Sequence, residues 1–163
     1  MPHITNPPDN PVMVAVAAAG TEEPFWLVTD KDVEFTGPIA VNAKEDENLA
    51  GLAANKIVIT DVLFEGLENL HFRLLFWSRD SFDNADVDID TLLGFVDLDI
   101  PNNGFQIGAA NQYYLNVTDV NLHYEDEDAT NELHISLNCV TAAGKTAGVP
   151  GEVKVKIGYK VRE

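Results

Sequence analysis

The residues best able to do chemistry form a run of alternating aspartates in the middle of the chain. Asp86, Asp88 and Asp90 have the spacing of the first three ligands of an EF-hand loop, whose positions 1, 3 and 5 bind Ca²⁺ through carboxylate oxygens. The match then fails, because position 6 is Thr91, where the loop needs glycine, and position 12 is Asp97 rather than glutamate. The sequence therefore predicts no standard metal site, and a looser Ca²⁺ site at the three aspartates stays open as an alternative.

The histidines and the single cysteine form no recognised catalytic or zinc-binding pattern. The chain contains no H-x-H, H-E-x-x-H, C-x-x-C or G-x-S-x-G sequence. Cys139 follows His134 by five residues, which places the two side chains on opposite faces of one strand, where they cannot act as nucleophile and base. The letters G-K-T at 144–146 lack the first glycine of a phosphate-binding loop. We therefore expect a protein that is not an enzyme and uses no cofactor.

The charge balance excludes two classes of partner. The 163 residues include 27 acidic and 10 basic side chains, for a net charge of −17. Contacts with nucleic-acid phosphates or with anionic membranes need clusters of lysine and arginine, so neither partner is expected. The longest apolar stretch, 12–19, is far shorter than the roughly 20 residues of a membrane span. We expect a soluble protein, cytoplasmic when it is made.

Alternating apolar residues predict an all-β protein. The predicted strands are 12–16, 25–28, 55–65, 70–78, 95–100, 112–125, 132–141 and 151–161. Short helices are predicted at 45–54 and 88–94. Eight strands without crossover helices favour an antiparallel two-sheet sandwich of jelly-roll type, formed by a single domain over 12–163. Residues 1–11 hold four of the eight prolines and are predicted to form an extended arm.

An internal repeat supports a doubled arrangement of strands. The segment 57–64 resembles 115–122, each contains Thr-Asp, and each is followed by a strand that contains Leu-His. In both copies the apolar alternation changes phase at the Thr-Asp pair, which would turn every later side chain to the other face. We expect a β-bulge there, or a strand that crosses between sheets.

One strand carries apolar residues on both faces. One face of 70–77 is entirely apolar, but the other also holds Leu75 and Trp77, beside His71 and Arg73. A solvated outer face should not present leucine and tryptophan, so this face is either covered by the protein's own chain or forms an interface. The same two alternatives, its own domain or a neighbouring subunit, apply to the arm. The predicted interface residues are Pro7, Pro8, Pro11, His71, Arg73, Leu75, Trp77 and Tyr114.

From about residue 55 onward the chain resembles the jelly-roll decoration (cement) proteins of tailed-phage capsids. The paired Thr-Asp strands, the two-faced strand 70–77 and the closing strand 151–157 carry this resemblance, together with the proline-rich arm. The resemblance implies a non-enzymatic structural protein on the outside of a virion, a homo-oligomer such as a trimer, bound to a capsid shell protein. The alternative is a β-sandwich module that binds carbohydrate or Ca²⁺.

Overall fold

The computed structural model describes residues 25–28, 33–35, 42–66, 69–80, 91–108, 112–141 and 151–162. Within these ranges the chain forms eleven strands and one short helix. They are β1 (Phe25–Val28), β2 (Val33–Phe35), β3 (Lys44–Ala50), β4 (Lys56–Gly66), β5 (His71–Trp77), β6 (Leu92–Asp99), α1 (Ile100–Asn103), β7 (Phe105–Gln106), β8 (Tyr113–Val117), β9 (Leu122–Glu125), β10 (Glu132–Cys139) and β11 (Gly151–Val161). No helix within the described ranges is long and apolar enough to cross a membrane.

The strands form two antiparallel sheets packed as a sandwich. In sheet I, β11 and β4 pair with each other at the centre. β1 and β2 pair with successive parts of β11, and β8 and β9 pair with successive parts of β4. β7 pairs with β8 at the edge of the sheet. In sheet II the order is β3-β10-β5-β6. β1 and β2 can be counted as one interrupted strand, and so can β8 and β9. Leaving out the two-residue β7, the eight strands that result alternate between the sheets along the chain in the order I, II, I, II, II, I, II, I. This is the strand order of a jelly roll, so the predicted fold class is confirmed.

The core lies between the sheets and follows the alternation of each strand. On sheet I the inward side chains of β4 and β11 are almost fully buried, and on sheet II Phe72, Leu74 and Phe76 of β5 face them. Phe64 and Phe72 stack across the sandwich with ring centroids 5.6 Å apart. Cys139 is a buried core residue at the end of β10, as its apolar surroundings in the sequence predict.

The expected irregularity at the first Thr-Asp pair is a β-bulge. Asp61 pairs with Gly158 and Ile59 pairs with Tyr159, which leaves Thr60 as the extra residue on β4. In a regular strand, two residues three positions apart point to opposite faces. Because of this insertion, Ile59 and Val62 both point into the core. At the second Thr-Asp pair the strand is interrupted between β8 and β9. Asp119 and Asn121 adopt positive φ angles of 58° and 49° in this interruption.

The helix predictions are wrong. The segment predicted as a helix at 45–54 is mostly strand β3, because its hydrogen bonds to β10 outweigh its helix-forming composition. Of the second predicted helix, residues 92–94 are the first residues of β6, and 88–90 lie outside the described residues. The helix that does form, α1, begins after Asp99, whose carboxylate caps it by accepting from the Asn102 backbone N–H, and has Pro101 in its first turn. The arm at 1–11 and the first predicted strand lie outside the described residues.

Candidate functional site

The outer face of sheet II carries the predicted interface residues of β5. Trp77 is only 4% exposed, although it points away from the core, and its indole Nε1–H donates to Ser136 Oγ at 2.8 Å. Ser136 in turn donates to Asp46 of β3. The structure therefore covers Trp77 within the chain and satisfies its polar edge, whereas His71, Arg73 and Leu75 remain partly exposed on the same face.

Arg73 is held between an aromatic ring and a carboxylate. Its guanidinium carbon lies 4.6 Å from the centre of the Phe95 ring on the neighbouring strand β6, a cation–π distance. Its Nε donates to Asp97 Oδ1 at 2.8 Å, and His71 Nε2 lies 3.4 Å from the same oxygen. The hydrogen bond from Arg73, opposed by partial burial and aided by His71, lowers the pKa of Asp97 below its ordinary value. Phe95 itself is 51% exposed.

A second aromatic pair lies on the outer face of sheet I. Phe105 of β7 stacks on Tyr114 of β8 with the ring centroids 5.7 Å apart, and Phe105 remains 55% exposed. Ile107, just after β7, is exposed to the same extent. The predicted interface residue Tyr114 thus supports an exposed phenylalanine that the sequence did not single out.

The exposed apolar residues concentrate on or beside two edge strands of the sandwich. Of the five large hydrophobic side chains exposed in the described part of the chain, Leu93 and Phe95 lie on β6 and Phe105 and Ile107 lie in or beside β7. We call these four residues the apolar edge. β6 is an edge strand of sheet II and β7 an edge strand of sheet I, and α1 joins them, so Leu93 and Phe95 lie on one sheet and Phe105 on the other. Among the described strands, none pairs with the side of β6 that faces away from β5.

The predicted set is thus only partly assembled. His71, Arg73 and Leu75 form a patch with Phe95 on sheet II, whereas Tyr114 contacts Phe105 on sheet I. Pro7, Pro8 and Pro11 lie outside the described residues, as do Asp86, Asp88 and Asp90. The sequence places Phe95 in a predicted strand. It does not predict that the Phe95 side chain faces outward beside Arg73, because this depends on the pairing of β5 with β6, whose register shifts between Phe76 and Trp77.

A buried polar network occupies the other end of sheet II. His134 of β10 is completely buried; its Nδ1 lies 2.7 Å from Asn48 Oδ1 and its Nε2 lies 3.3 Å from Asp126 Oδ1. His134 lies on the outer face of sheet II, and it is buried there because the turn between β9 and β10 folds over it. Tyr124 Oη accepts from the His134 backbone N–H and donates to the Glu132 carbonyl. Burial, with neighbouring carboxylates adding, raises the pKa of the Tyr124 phenol.

Asp126 is the centre of this network. Its Oδ1 accepts from the Asp128 backbone N–H, and its Oδ2 accepts from the Glu132 backbone N–H and the Thr130 hydroxyl. Burial alone would raise the pKa of Asp126, but these donors and His134 together hold the pKa below its ordinary value. The carboxylate therefore ties the turn to β10.

Asp126, Asp128 and His134 also form the one group of potential metal ligands among the described residues. One ligand atom from each lies within 4.8 Å of the others, a spacing that a divalent cation can bridge. Both oxygens of Asp126 already accept hydrogen bonds from the chain. The internal donors account for the buried carboxylate, and the group has a structural role.

Comparison with known proteins adds no relationship. No protein-family model matches this chain, and a search of curated proteins finds no match.

Proposed function

We propose that this protein is a non-enzymatic assembly protein that forms a homo-oligomer, such as a trimer, and docks on the outside of a protein shell such as a virion capsid. The apolar edge carries the proposal. Isolated exposed hydrophobic residues are ordinary on a protein surface, but two exposed pairs on the edge strands β6 and β7, each with a phenylalanine, support a role in binding protein. Arg73, stacked on Phe95, adds the residue type that most often anchors such interfaces.

The energetics favour association through this edge. Phe95 and Phe105 each keep about half of their surface in contact with water. Burying a whole phenylalanine side chain contributes about 1.5–3 kcal/mol, so completing the burial contributes about 1 kcal/mol for each ring. No described strand pairs with the outer side of β6, and its backbone N–H and C=O groups there would suit a partner strand. The net charge of −17 opposes close packing of copies, and it suits a body whose remaining surface faces solvent on the outside of a shell.

The oligomeric state tests the proposal. We expect light scattering coupled to size exclusion to give a mass near three times the 17.8 kDa of one chain. The double variant Phe95→Ser, Phe105→Ser should weaken association at least fivefold for each lost ring. Val161→Ser is the matched control, because Val161 is also exposed, by 43%, but lies on β11 outside the apolar edge. A wild-type chain that stays monomeric at high concentration, or equal weakening in both variants, would refute the proposal.

A further inference from the structure

Residues from both Thr-Asp pairs of the internal repeat line one cleft on sheet I. The cleft has a volume of about 390 Å³ and is lined by Thr60, Asp61, Asp119, Asn121 and Lys160. This volume is within the roughly 300–1,000 Å³ of small-molecule sites. None of its lining residues belongs to the apolar edge, so the cleft concerns a function separate from assembly.

Two backbone irregularities create the cleft. The bulge at Thr60 inserts an extra residue into β4 opposite β11, and Lys160 lies on β11 just beyond it. On the other side of β4, the strand is interrupted between β8 and β9, where the Val120 N–H donates to the Thr60 carbonyl. Asp119 and Asn121, both at positive φ, flank Val120. A regular sheet would leave no hollow here, because neighbouring strands would pair throughout.

The side chains that line the cleft have no partners within the described structure. The Thr60 hydroxyl is buried and makes no hydrogen bond. The carboxylates of Asp61 and Asp119, the Asn121 amide and the Lys160 ammonium make neither hydrogen bonds nor ion pairs there. This contrasts with the fully bonded Asp126 network at the far end of β9. The Thr60 hydroxyl is enclosed by the protein, so the groups that a ligand in the cleft can reach are those of Asp61, Asp119, Asn121 and Lys160.

The types of group in the cleft define the ligand. Two carboxylates beside one ammonium repel phosphate or sulfate, and the Lys160 ammonium disfavours a bare metal cation. A ligand hydroxyl can donate to a carboxylate and accept from an ammonium or amide, so a neutral molecule with several hydroxyls satisfies all four accessible groups. Hydrogen bonds to the charged groups would be the strong ones.

We propose that this cleft binds a saccharide through Asp61, Asp119, Asn121 and Lys160. Asp61 and Asp119 accept hydrogen bonds from vicinal sugar hydroxyls, and Lys160 and Asn121 donate to the oxygens of the same sugar. The proposal does not depend on assembly, since it uses neither the apolar edge nor β6.

Saturation-transfer difference NMR on the full chain tests the proposal, because it detects weak ligands of a large protein. The probes are glucose, galactose, mannose and N-acetylglucosamine, with Ca²⁺ and inorganic phosphate titrated separately against amide resonances. We expect transfer to at least one sugar, with millimolar affinity. Asp61→Asn and Asp119→Asn should each weaken that affinity at least tenfold. Asparagine tolerates the positive φ of Asp119, so the second change leaves the backbone unstrained.

Asp128→Asn is the matched control, because Asp128 is an exposed turn aspartate at the opposite end of β9 from the cleft, and it should leave sugar binding unchanged. Equal thermal midpoints and equal oligomeric masses would show that the cleft variants fold and assemble normally. The proposal is overturned if no sugar in the panel gives transfer, if Ca²⁺ or phosphate alone shifts the cleft resonances, or if both cleft variants bind sugar as the wild type does.

Discussion

Replacing Asp126 with asparagine should destabilise the protein more than any other single carboxylate-to-amide change in the same turn. Oδ1 and Oδ2 of Asp126 each accept two hydrogen bonds, from Asp128 N–H and His134 Nε2 on one side and from Glu132 N–H and the Thr130 hydroxyl on the other. An asparagine keeps one acceptor oxygen and turns an amide NH₂ toward the remaining donors. The Thr130 hydroxyl can rotate to accept, but the Glu132 N–H cannot.

The expected loss follows from these contacts. Hydrogen bonds to a charged group contribute about 1.5–3 kcal/mol each, and a buried donor left without an acceptor costs about 1–3 kcal/mol. Asp126→Asn should therefore lower the free energy of unfolding by about 3 kcal/mol at pH 7. Equilibrium unfolding in urea, followed by tryptophan fluorescence, measures this difference. Asp128→Asn is the control, because its carboxylate is 40% exposed and should matter by less than about 1 kcal/mol.

The pH dependence gives an independent check. The pKa of Asp126 is lower in the folded chain than in the unfolded chain, so its contribution is fully present above the unfolded value of about 3.9. That contribution is lost as the pH falls through the folded value. The wild type and Asp128→Asn should therefore lose more stability than Asp126→Asn between pH 5 and acid. Parallel stability curves for all three proteins, or a loss below 0.5 kcal/mol in Asp126→Asn at pH 7, would contradict the role we assign to the network.

Two further predictions concern packing. Gly104→Ala should lower stability by about 2 kcal/mol in urea unfolding, because its Cβ would lie 2.7 Å from the Ile100 carbonyl oxygen and 3.0 Å from that of Tyr114. Gly94→Ala should lower the free energy of unfolding by clearly less, because the new Cβ meets only the flexible end of the Leu122 side chain. A larger loss for Gly94→Ala than for Gly104→Ala would show that α1 and β8 pack less closely than described. The Cys139 thiol should react with a disulfide reagent at pH 8 only after denaturation, because burial shields it and raises its pKa. Rapid reaction of the native protein would contradict this prediction.

The sequence predicts the sandwich well because period-two alternation reports directly on burial. β4, β5, β10 and β11 lie within one or two residues of the predicted strands, and the phase change at Thr60–Asp61 located the bulge. The prediction of a helix at 45–54 was wrong because it relied on the charged composition of the segment, which favours a helix. β3 forms instead because it pairs with β10, and a local sequence pattern does not encode pairing with so distant a segment.

The sites were harder to predict because they depend on contacts between distant residues. The four acidic residues at 125–128 look alike in the sequence, yet Asp126 is buried and its neighbour Glu127 forms an exposed ion pair with Arg79. The difference arises from a tight turn in which Ala129 and Asn131 adopt positive φ and direct their neighbours' N–H groups toward one carboxylate. The cleft at Thr60 likewise depends on the two Thr-Asp pairs lying beside each other in sheet I, although they are far apart in the sequence.

The central position of β11 has a consequence for how this protein folds during synthesis. The last strand separates β4 from β1 and β2, so sheet I cannot close until residues 151–161 have left the ribosome. Until then the nascent chain holds β4 with one side unpaired, a state open to intermolecular pairing. Because most of its strand pairs join segments far apart in sequence, we expect slow folding that is sensitive to crowding among newly made chains.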